Sequence, residues 1–481
     1  MIPSPTSEGP RAGVGHIAAP RPDWTIAVLL LSDVASLSLA VLMAGLATRY
    51  ALPTTTPLEL GHAFLMLLAP VGFAFAGLYP ATALGPIDEF RKIGRVILLV
   101  GIGGTVALSL LTALPATLPL LLSSVLAVLT VPVGRAALRE IVAHRNWWGE
   151  PVVILGAGAT ARLVVEQLRK HPRMGMKAIA FLDDAPGMVG RSVSGLPVAG
   201  ALSAVDSFVR SGVCTAVIAM PGVPPRELVR LVEQHTDGFR DMVVVPNLFG
   251  LRTLGVETRD LGGVLGLHVR HNLIDPVNRV AKRLLDIALV LPTLLIGLPL
   301  MLVSALAIVV VSPGNPFFFQ ERIGLDGRPI RVWKLRTMHL DATERLEEHL
   351  ERDPVASAEW TLHYKLADDP RILPVVGPVL RKSSIDEIPQ ILNVLRGEMS
   401  FIGPRPFPQY HLTAFPDEFQ VFRSKVRPGI TGLWQVSARS DGDLAVQQEI
   451  DTYYIRNWSI WMDLYILART PLAVLTARGA R

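Results

Sequence analysis

The sequence predicts a membrane protein in which a four-helix transmembrane bundle and a Rossmann-like, parallel-sheet α/β domain precede a re-entrant membrane helix and a mainly α-helical domain. Composition is the first indication, because half of the 481 residues are hydrophobic and only 18% are charged. A mean hydropathy of +0.41 is typical of membrane proteins that also carry water-soluble parts. Apolar segments of bilayer-spanning length and a glycine-containing strand-to-helix turn are the second and third indications.

The N-terminal part predicts a short tail and a multi-pass bundle. Residues 1–23 are rich in Pro, Gly and Ala, which is typical of a disordered segment. Within residues 24–148, the apolar segments lie at about 24–48, 62–84, 94–113 and 115–138. Lys and Arg flank both ends of the bundle and the loop between its second and third segments, so the positive-inside rule places both ends in the cytoplasm. We expect Asp33, in the first segment, to pack against a neighbouring helix.

Residues 149–250 predict the Rossmann-like domain. The apolar strand Val152–Leu155 leads into a turn that contains Gly156 and Gly158, and an amphipathic helix follows. Further strands are predicted at 178–184, 216–220 and 242–245, with a helix at 226–235. A glycine turn at this place binds nucleotide phosphates in some proteins and is only a tight connection in others. Both interpretations stay open.

A linker at 251–281 and a membrane helix at 282–312 follow. The apolar run Leu284–Val311 is long enough to cross a bilayer, but a crossing would carry the basic domain that follows to the outer face. Pro292 and Pro299 are expected to break the helix in mid-run. A bent helix that enters and leaves on the cytoplasmic side is therefore favoured over a kinked span.

The last domain, residues 313–481, contains a polar stretch from Asp368 to Pro406 with two adjacent carboxylates, Asp386 and Glu387, among basic residues. Ser384 followed by Glu387 has the form of a capping box that opens a helix. The same segment could bind a phosphorylated substrate. These interpretations are compatible, because a helix N-terminus favours anions.

Charge and cysteine content narrow the classes of partner. A net charge of +5 suits contact with anionic lipid or with phosphorylated substrates, and no nucleic-acid recognition motif is present. The single cysteine, Cys214, excludes an internal disulfide framework.

Alternation of apolar and polar residues in a short strand at 330–335 is expected to direct Lys334 and Arg336 to one face.

From Lys282 to about Thr470 the chain resembles the bacterial sugar transferases, the monotopic polyprenyl-phosphate phosphoglycosyl transferases. The matching motifs, in the family's order, are FFFQERIG, KLRTM, DDPRI, SSIDEIPQ, NVLRGEMSFIGPRP, RPGITGLWQV and DTYYIRNWS. With its bundle and α/β domain, the whole chain resembles the long-form members, which add hexose 1-phosphate to undecaprenyl phosphate.

The resemblance implies roles for individual residues. Asp386 matches the nucleophile, Glu387 matches the residue that helps hold Mg²⁺ on the diphosphate, and Pro299 matches the proline that bends the re-entrant helix. The chain departs from the family at Leu298, where serine is frequent. Residues expected to bind or support the substrate are Lys334, Arg336, Arg381, Arg405, Arg427, Gln435, Arg439 and Asp451.

The reaction implied is a two-step transfer at the bacterial inner membrane, with both soluble domains on the cytoplasmic face. UDP-hexose would give its hexose 1-phosphate to Asp386 and release UMP, and undecaprenyl phosphate would then take the phosphosugar. The resemblance also implies the first membrane step of exopolysaccharide, capsule or O-antigen synthesis, with a homodimer as the expected assembly. Glucose and galactose are not distinguished.

An alternative is NAD-dependent epimerase or dehydratase chemistry on nucleotide sugars in the α/β domain. Such enzymes usually carry a Tyr-x-x-x-Lys pair, and residues 157–280 contain no tyrosine. A regulatory, nucleotide-sensing or dimer-forming role of this domain is therefore favoured.

Overall fold

The computed structural model divides into two compact units, Met1–Gly250 and Leu251–Arg481. It describes residues 20–51, 58–82, 84–111, 117–223, 239–245, 256–260, 265–269, 273, 276–353, 356–357, 366, 369–437 and 444–475. Most of the predicted tail, part of the predicted linker and the predicted helix at 226–235 lie outside these residues.

The first unit begins with a helical bundle. Its helices are α1 (Pro22–Ala51), α2 (Leu58–Phe75), α3 (Pro86–Leu111) and α4 (Thr117–Val142). The bundle core takes fully buried residues from every helix, including Leu37, Phe73, Ile97 and Val131. The predicted segment continues to residue 84, but α2 ends at Phe75. Gly77 has a φ of 67° there, and the N–H of Leu78 donates to Phe73 O at 2.9 Å, a helix ending that glycine favours.

Within the described ranges, four helices are long and apolar enough to cross a membrane. They are Pro22–Thr48, Pro86–Leu110, Thr117–Val142 and Pro276–Val311. The apolar part of α2, Leu65–Phe75, is shorter than these, so a second crossing at 62–84 stays a prediction. The predicted combination of apolar helices with an α/β domain is confirmed.

Buried charges connect the helices of the bundle. Arg135 donates Nε and Nη2 to the two oxygens of Asp33 at 2.7 and 2.6 Å, and Nη1 to Glu89 at 2.9 Å. Arg139 donates both Nη atoms to Glu89, and the Tyr79 hydroxyl donates to Asp33. The expectation that Asp33 packs against a neighbouring helix is confirmed.

A six-stranded sheet completes the first unit. Its strands are β1 (Glu150–Leu155), β2 (Met176–Leu182), β3 (Ser192–Val193), β4 (Leu196–Gly200), β5 (Thr215–Ile218) and β6 (Asp241–Val244), in the order β3-β4-β2-β1-β5-β6. All neighbouring pairs are parallel except the β3–β4 hairpin. β1 is buried throughout, because α5 (Ala159–Lys170) covers one face of the sheet and α6 (Val205–Arg210) the other. The predicted parallel sheet is confirmed.

The second unit is mainly helical. Its helices are α7 (Pro276–Val311), α8 (Ala342–Arg352), α9 (Val376–Ser383), α10 (Ile391–Arg396), α11 (Gln409–Leu412), α12 (Asp417–Ser424), α13 (Leu433–Ser437), α14 (Leu444–Asn457) and α15 (Ile460–Leu475). Its strands form the antiparallel pairs β7 (Val256–Asp260) with β8 (Leu265–Val269) and β9 (Phe317–Ile323) with β10 (Pro329–Leu335), and the parallel pair β11 (Ser400–Ile402) with β12 (Gly429–Thr431). The short strand predicted at 330–335 is confirmed as part of β10.

The apolar helix α7 continues through Pro292 and Pro299 as one helix of 36 residues, so the expected break at these prolines is wrong, while a bend of the continuous helix at Pro299 stays a prediction. A proline can stay inside a helix when neighbouring groups bond to the carbonyls beside it. The Thr293 hydroxyl donates to Leu289 O at 2.7 Å, next to the carbonyl of Ala288, which Pro292 leaves without a helical N–H donor. Whether the helix spans the membrane or re-enters it stays a prediction.

A second set of buried charges links the start of α7 to α15 within the second unit. Lys282 Nζ lies 3.1 Å from Asp286 and 2.9 Å from Asp463. Asp463 also accepts hydrogen bonds from the Tyr454 hydroxyl at 2.8 Å and from Trp458 Nε1 at 3.0 Å. Trp458 is therefore a core residue.

Candidate active site

Asp386 and Glu387 lie on a 3-10 turn, Ile385–Gln390, between α9 and α10. Ser384 ends α9 with a left-handed φ of 58°, and its side chain makes no capping hydrogen bond. The predicted capping box is wrong, because its second member, Glu387, directs its carboxylate to basic side chains instead. The turn therefore exposes the two acids to the surrounding cations.

Glu387 contacts cations from two other elements. Lys334 Nζ, on β10, lies 2.8 Å from Glu387 Oε1, and Arg405 Nη2 lies 3.3 Å from the same oxygen. Burial by itself would raise the pKa of Glu387, but the charges of Arg405 and Lys334 outweigh it and lower the pKa to about 2. Glu387 is therefore ionised at any pH at which the protein works.

Asp386 is buried and has a different environment. Only 9% of the residue is exposed, and no described residue donates a hydrogen bond to its carboxylate. Burial raises the pKa of Asp386 to about 6, with a further contribution from Glu387, while Lys334 opposes the shift. Near neutral pH this carboxylate is ionised, poorly solvated and without a donor, which are the properties of an available nucleophile.

Arg381 completes the group of charges around the two acids. Its Nε donates to the Thr337 hydroxyl at 3.0 Å, and its charge interacts with that of Asp386. Burial lowers the pKa of Arg381. Three cations, Lys334, Arg381 and Arg405, thus surround two carboxylates, and the remaining positive charge favours an anionic ligand.

Asp451 is connected to this group of charges through Arg423 and makes no hydrogen bond to the two acids. Its carboxylate accepts a hydrogen bond from Arg423 Nε at 2.9 Å, and Arg423 in turn donates to the backbone carbonyl of Arg405. Burial raises the pKa of Asp451, although Arg423 opposes the shift. Arg423 also lies over the Phe407 ring, with its guanidinium carbon 4.1 Å from the centroid. Sequence reasoning missed Arg423, and only its place as a base within an amphipathic helix could have indicated it.

Comparison with known proteins identifies the chain. A family model described as bacterial sugar transferase matches residues 277–477. The undecaprenyl-phosphate galactose phosphotransferase of Salmonella typhimurium is 34% identical over 362 residues, which cover 74% of this chain and 74% of that protein. The chain belongs to the bacterial sugar transferase family. The resemblance drawn from its motifs is confirmed, and the chain is a transferase enzyme.

Two further relatives of this sugar transferase differ in length. The UDP-glucose:undecaprenyl-phosphate glucose-1-phosphate transferase of Escherichia coli K12 is 32% identical over 328 residues, which cover 66% of each protein. The exopolysaccharide production protein ExoY of Rhizobium meliloti is 42% identical over 207 residues, which cover 43% of this chain and 91% of that protein.

The partners of three other residues expected at the substrate site of the sugar transferase are backbone carbonyls. Arg336 is buried beyond the end of β10 and donates to Ser312 O, while its Nε and Nη1 have no partner among the described residues. Arg427 donates Nε to Gly397 O at 2.7 Å, and Gln435 Nε2 donates to Ile430 O at 3.1 Å. Arg439 lies outside the described residues.

The donor set at the two acids fits a magnesium ion that is shared with a phosphorylated substrate. Among the residues that the structure describes, no group of three or more His, Cys, Asp or Glu side chains could hold a metal. Both cations contact Oε1 of Glu387, which leaves its Oε2 without a donor from the described chain. Mg²⁺ commonly takes one or two carboxylates together with substrate phosphates, and Glu387 with Asp386 could supply them.

The glycine turn of the sugar transferase connects β1 to α5. Gly156 has a φ of 96°, and a Cβ atom there would lie 2.4 Å from Met220. Gly158 precedes the first residue of α5. The carboxylate of Asp183 accepts a hydrogen bond from the N–H of Ala157 at 2.6 Å, so one donor of the turn already has an anionic partner. Packing accounts for Gly156, and nucleotide binding by this turn stays a prediction.

Proposed function

We propose that this sugar transferase moves hexose 1-phosphate from a UDP-hexose to undecaprenyl phosphate, giving undecaprenyl-diphospho-hexose and UMP. The names of the Salmonella typhimurium and Escherichia coli relatives, both of which are undecaprenyl-phosphate sugar-phosphate transferases, support this reaction. The observation that carries the proposal is the environment of Asp386, a buried carboxylate that accepts no hydrogen bond from the described residues and belongs to a cluster with more cations than acids.

The proposed reaction has two steps. An oxygen of Asp386 attacks the phosphorus atom that carries the hexose, the bond from that phosphorus to the UMP oxygen breaks, and UMP leaves with the electron pair. An oxygen of undecaprenyl phosphate then attacks the same phosphorus and releases the carboxylate of Asp386. Arg381, Lys334 and Arg405 offset the charge of the diphosphate, which would otherwise repel the attacking carboxylate.

Glu387 is the proposed ligand for Mg²⁺, with Asp386 beside it. The bound ion would offset negative charge on the diphosphate and on the leaving nucleotide. Lys334 and Arg405 fix the orientation of Glu387 through Oε1, and its other oxygen is left for the ion. In the same proposal Asp451 is a positioning residue, because it acts on Arg405 only through Arg423.

A re-entrant path for α7 is supported by its contacts along the whole helix. Lys282, near its start, bonds to Asp463, and Ile308, near its end, packs in a core with Leu335. In the middle, a Cβ atom at Gly297 would lie 3.2 Å from Ile388, the residue after Glu387. A straight span would carry one end of the helix across the bilayer, away from a domain that both ends contact.

The outer face of α7 is apolar along most of its length. Leu291, Leu295 and Val310 are 76, 78 and 74% exposed, which is costly in water and favourable in lipid. We propose that this face lies in the cytoplasmic leaflet of the bacterial inner membrane, with Pro299 as the bend. This places Asp386 close to lipid phosphates. The same proposal includes the division of the chain into the six predicted segments and a homodimeric assembly. It also includes a role in polysaccharide synthesis and a regulatory role of the α/β domain.

The test is donor-dependent UMP release by the full chain in phosphatidylcholine nanodiscs, with Mg²⁺ and a panel of UDP-hexoses. Without undecaprenyl phosphate, a covalent phosphosugar on Asp386 predicts a burst of UMP that approaches one equivalent of enzyme. Addition of the acceptor lipid should give continuous release. Release only when the acceptor is present, without a burst, would contradict the covalent step. The preferred sugar in the panel identifies the hexose.

A further inference from the structure

A cavity of about 270 Å³ lies at the first turns of α7. Its lining contains five basic side chains and one acid, which are Arg279, Lys282, Arg283, Lys425, Arg427 and Asp286. Neither Asp386 nor Glu387 lines it. The cavity is therefore a second concentration of positive charge in the unit Leu251–Arg481.

Most of this charge is not neutralised by the described chain. Lys282 pairs with Asp286 and Asp463, which accounts for both acids near it. Arg283 donates to the backbone carbonyls of Val394 and Leu395 at 2.6 and 3.0 Å. These carbonyls orient the guanidinium without removing its charge.

The positive charges of the other three bases are also not neutralised by acids of the described chain. Arg427 donates to Gly397 O at 2.7 Å, and Arg279 donates to Leu273 O at 3.4 Å. Neither these residues nor Lys425 forms an ion pair with an acid of the described ranges. Burial, followed by the charge of Arg283, lowers the pKa of Arg427. An anion in the cavity would therefore reduce the repulsion between these two guanidinium groups.

We infer that this cavity binds a phosphate group, and that the group belongs to a membrane lipid. Backbone carbonyls already hold two guanidinium groups in fixed orientations, and such groups bind phosphate oxygens through paired N–H donors. The volume admits a phosphate with part of a glycerol group. No part of this inference uses the chemistry at Asp386.

The position of the cavity favours a lipid as the source of the phosphate. Val280, which lines the cavity, and Leu284, one turn further along α7, are 61 and 64% exposed and begin the long apolar face of the helix. If the apolar face of α7 lies in the membrane, a basic pocket at the start of that face lies at the level of the lipid headgroups. Anionic headgroups attract Lys and Arg. The lipid source rests on the proposed membrane placement of α7, whereas the phosphate chemistry does not.

The experiment uses the full chain in nanodiscs of phosphatidylcholine with a small fraction of phosphatidylglycerol, followed by native mass spectrometry of the retained lipids. We expect phosphatidylglycerol to be enriched over phosphatidylcholine on the wild-type protein. The double variant Arg279→Gln with Lys425→Gln should lose this enrichment by about fivefold for each charge removed. The control variant Lys170→Gln with Arg352→Gln removes the same charges from exposed helices and should retain it.

A second arm distinguishes a soluble source. Calorimetry with inorganic phosphate and pyrophosphate, in phosphatidylcholine-only nanodiscs, would show binding that the double variant weakens if the ligand is a free phosphate. Equal phosphatidylglycerol enrichment in the wild type and the double variant, with no binding of soluble phosphate, would overturn the inference. Neither readout requires turnover, so its failure is distinguishable from failure of the proposed transferase reaction.

Discussion

Buried charge in the bundle is arranged in a different way from buried charge around Asp386. In the bundle, Arg135 and Arg139 face Asp33 and Glu89, and each of the four carboxylate oxygens accepts at least one hydrogen bond from a guanidinium group. The two acids and two bases leave no net charge. Such a cluster links the helices and has no free acceptor for a ligand.

The cluster around the two adjacent acids is incomplete. Asp386 has no donor from the described chain, and Glu387 uses one of its oxygens. Three cations face two carboxylates, so an anion would complete the cluster. The balance of charge and of hydrogen-bond donors, more than burial, therefore distinguishes a structural cluster from a ligand site. Substitutions in each cluster can test this distinction.

The largest effect is expected for Asp386→Asn. UMP release should fall by about 10³-fold or more, because the amide cannot attack phosphorus. The melting temperature should stay the same or rise, because the variant no longer buries a carboxylate without a donor. UMP release and thermal unfolding in the same nanodisc preparation measure both. Asp417→Asn, at an exposed position of the same unit, is the control and should keep full activity. Retained turnover in the Asp386 variant would sink the assignment of the nucleophile.

The opposite pattern is expected for Arg135→Met in the bundle. Without Arg135, the buried carboxylate of Asp33 loses both of its guanidinium hydrogen bonds and Glu89 loses one of its three, so the free energy of unfolding should fall by about 3–5 kcal/mol. Denaturant titration of the full chain in mixed micelles measures this loss. Arg91→Met breaks an exposed pair with Asp88 and should cost less than about 1 kcal/mol. Equal losses in the two variants would show that the bundle cluster is not a structural link.

Sequence reasoning found the components of the site but not their connections. Adjacent acids, a strand at 330–335 and bases in ordered motifs placed Asp386, Glu387 and Lys334 correctly near one another. The contact of Asp451 with Arg423 was out of reach, because the two residues are distant in sequence and their contact depends on packing between two helices. Local spacing carries no information about such pairs.

One local expectation, the capping box at Ser384, failed for a physical reason. Ser384 matched a capping box in its spacing, but a left-handed φ of 58° at that residue ends one helix and leads into a 3-10 turn. Spacing alone does not reveal backbone conformation at one residue. Arg427 belongs to a motif that predicts substrate contact and lines the cavity at the start of α7, and its contact with substrate stays a prediction. Motif order identifies the family, and the fold decides which cavity each base faces.

A smaller effect is expected for Glu387→Gln. The variant keeps the shape of the side chain but loses the charge that would hold Mg²⁺, so the ion concentration for half-maximal UMP release should rise by about 10- to 100-fold. Titration of Mg²⁺ after removal of metal by chelation measures the shift. Glu398→Gln is a matched control, because Glu398 accepts from Asn393 at 2.6 Å and is not part of the cluster around the two acids. An unchanged magnesium requirement in the Glu387 variant would contradict its role as a ligand.

The smallest effect concerns pH and depends on which acid titrates. Asp386, with its pKa raised to about 6, is ionised above that pH and protonated below it, so kcat/KM for UMP release should fall as pH decreases through 6. At pH 5 the loss should be about tenfold relative to the plateau. Glu387 stays ionised throughout, because Arg405 and Lys334 outweigh its burial and lower its pKa to about 2.

Two variants should move this acid limb in opposite directions. The charge of Glu387 raises the pKa of Asp386, so Glu387→Gln, assayed at saturating Mg²⁺, should shift the limb to lower pH. The charge of Lys334 lowers the same pKa, so Lys334→Met should shift it to higher pH. A limb that stays in place in both variants would assign the titration to a group outside the cluster. Opposite shifts would show that the incomplete cluster sets the protonation of its own nucleophile, a property that the neutral bundle cluster lacks.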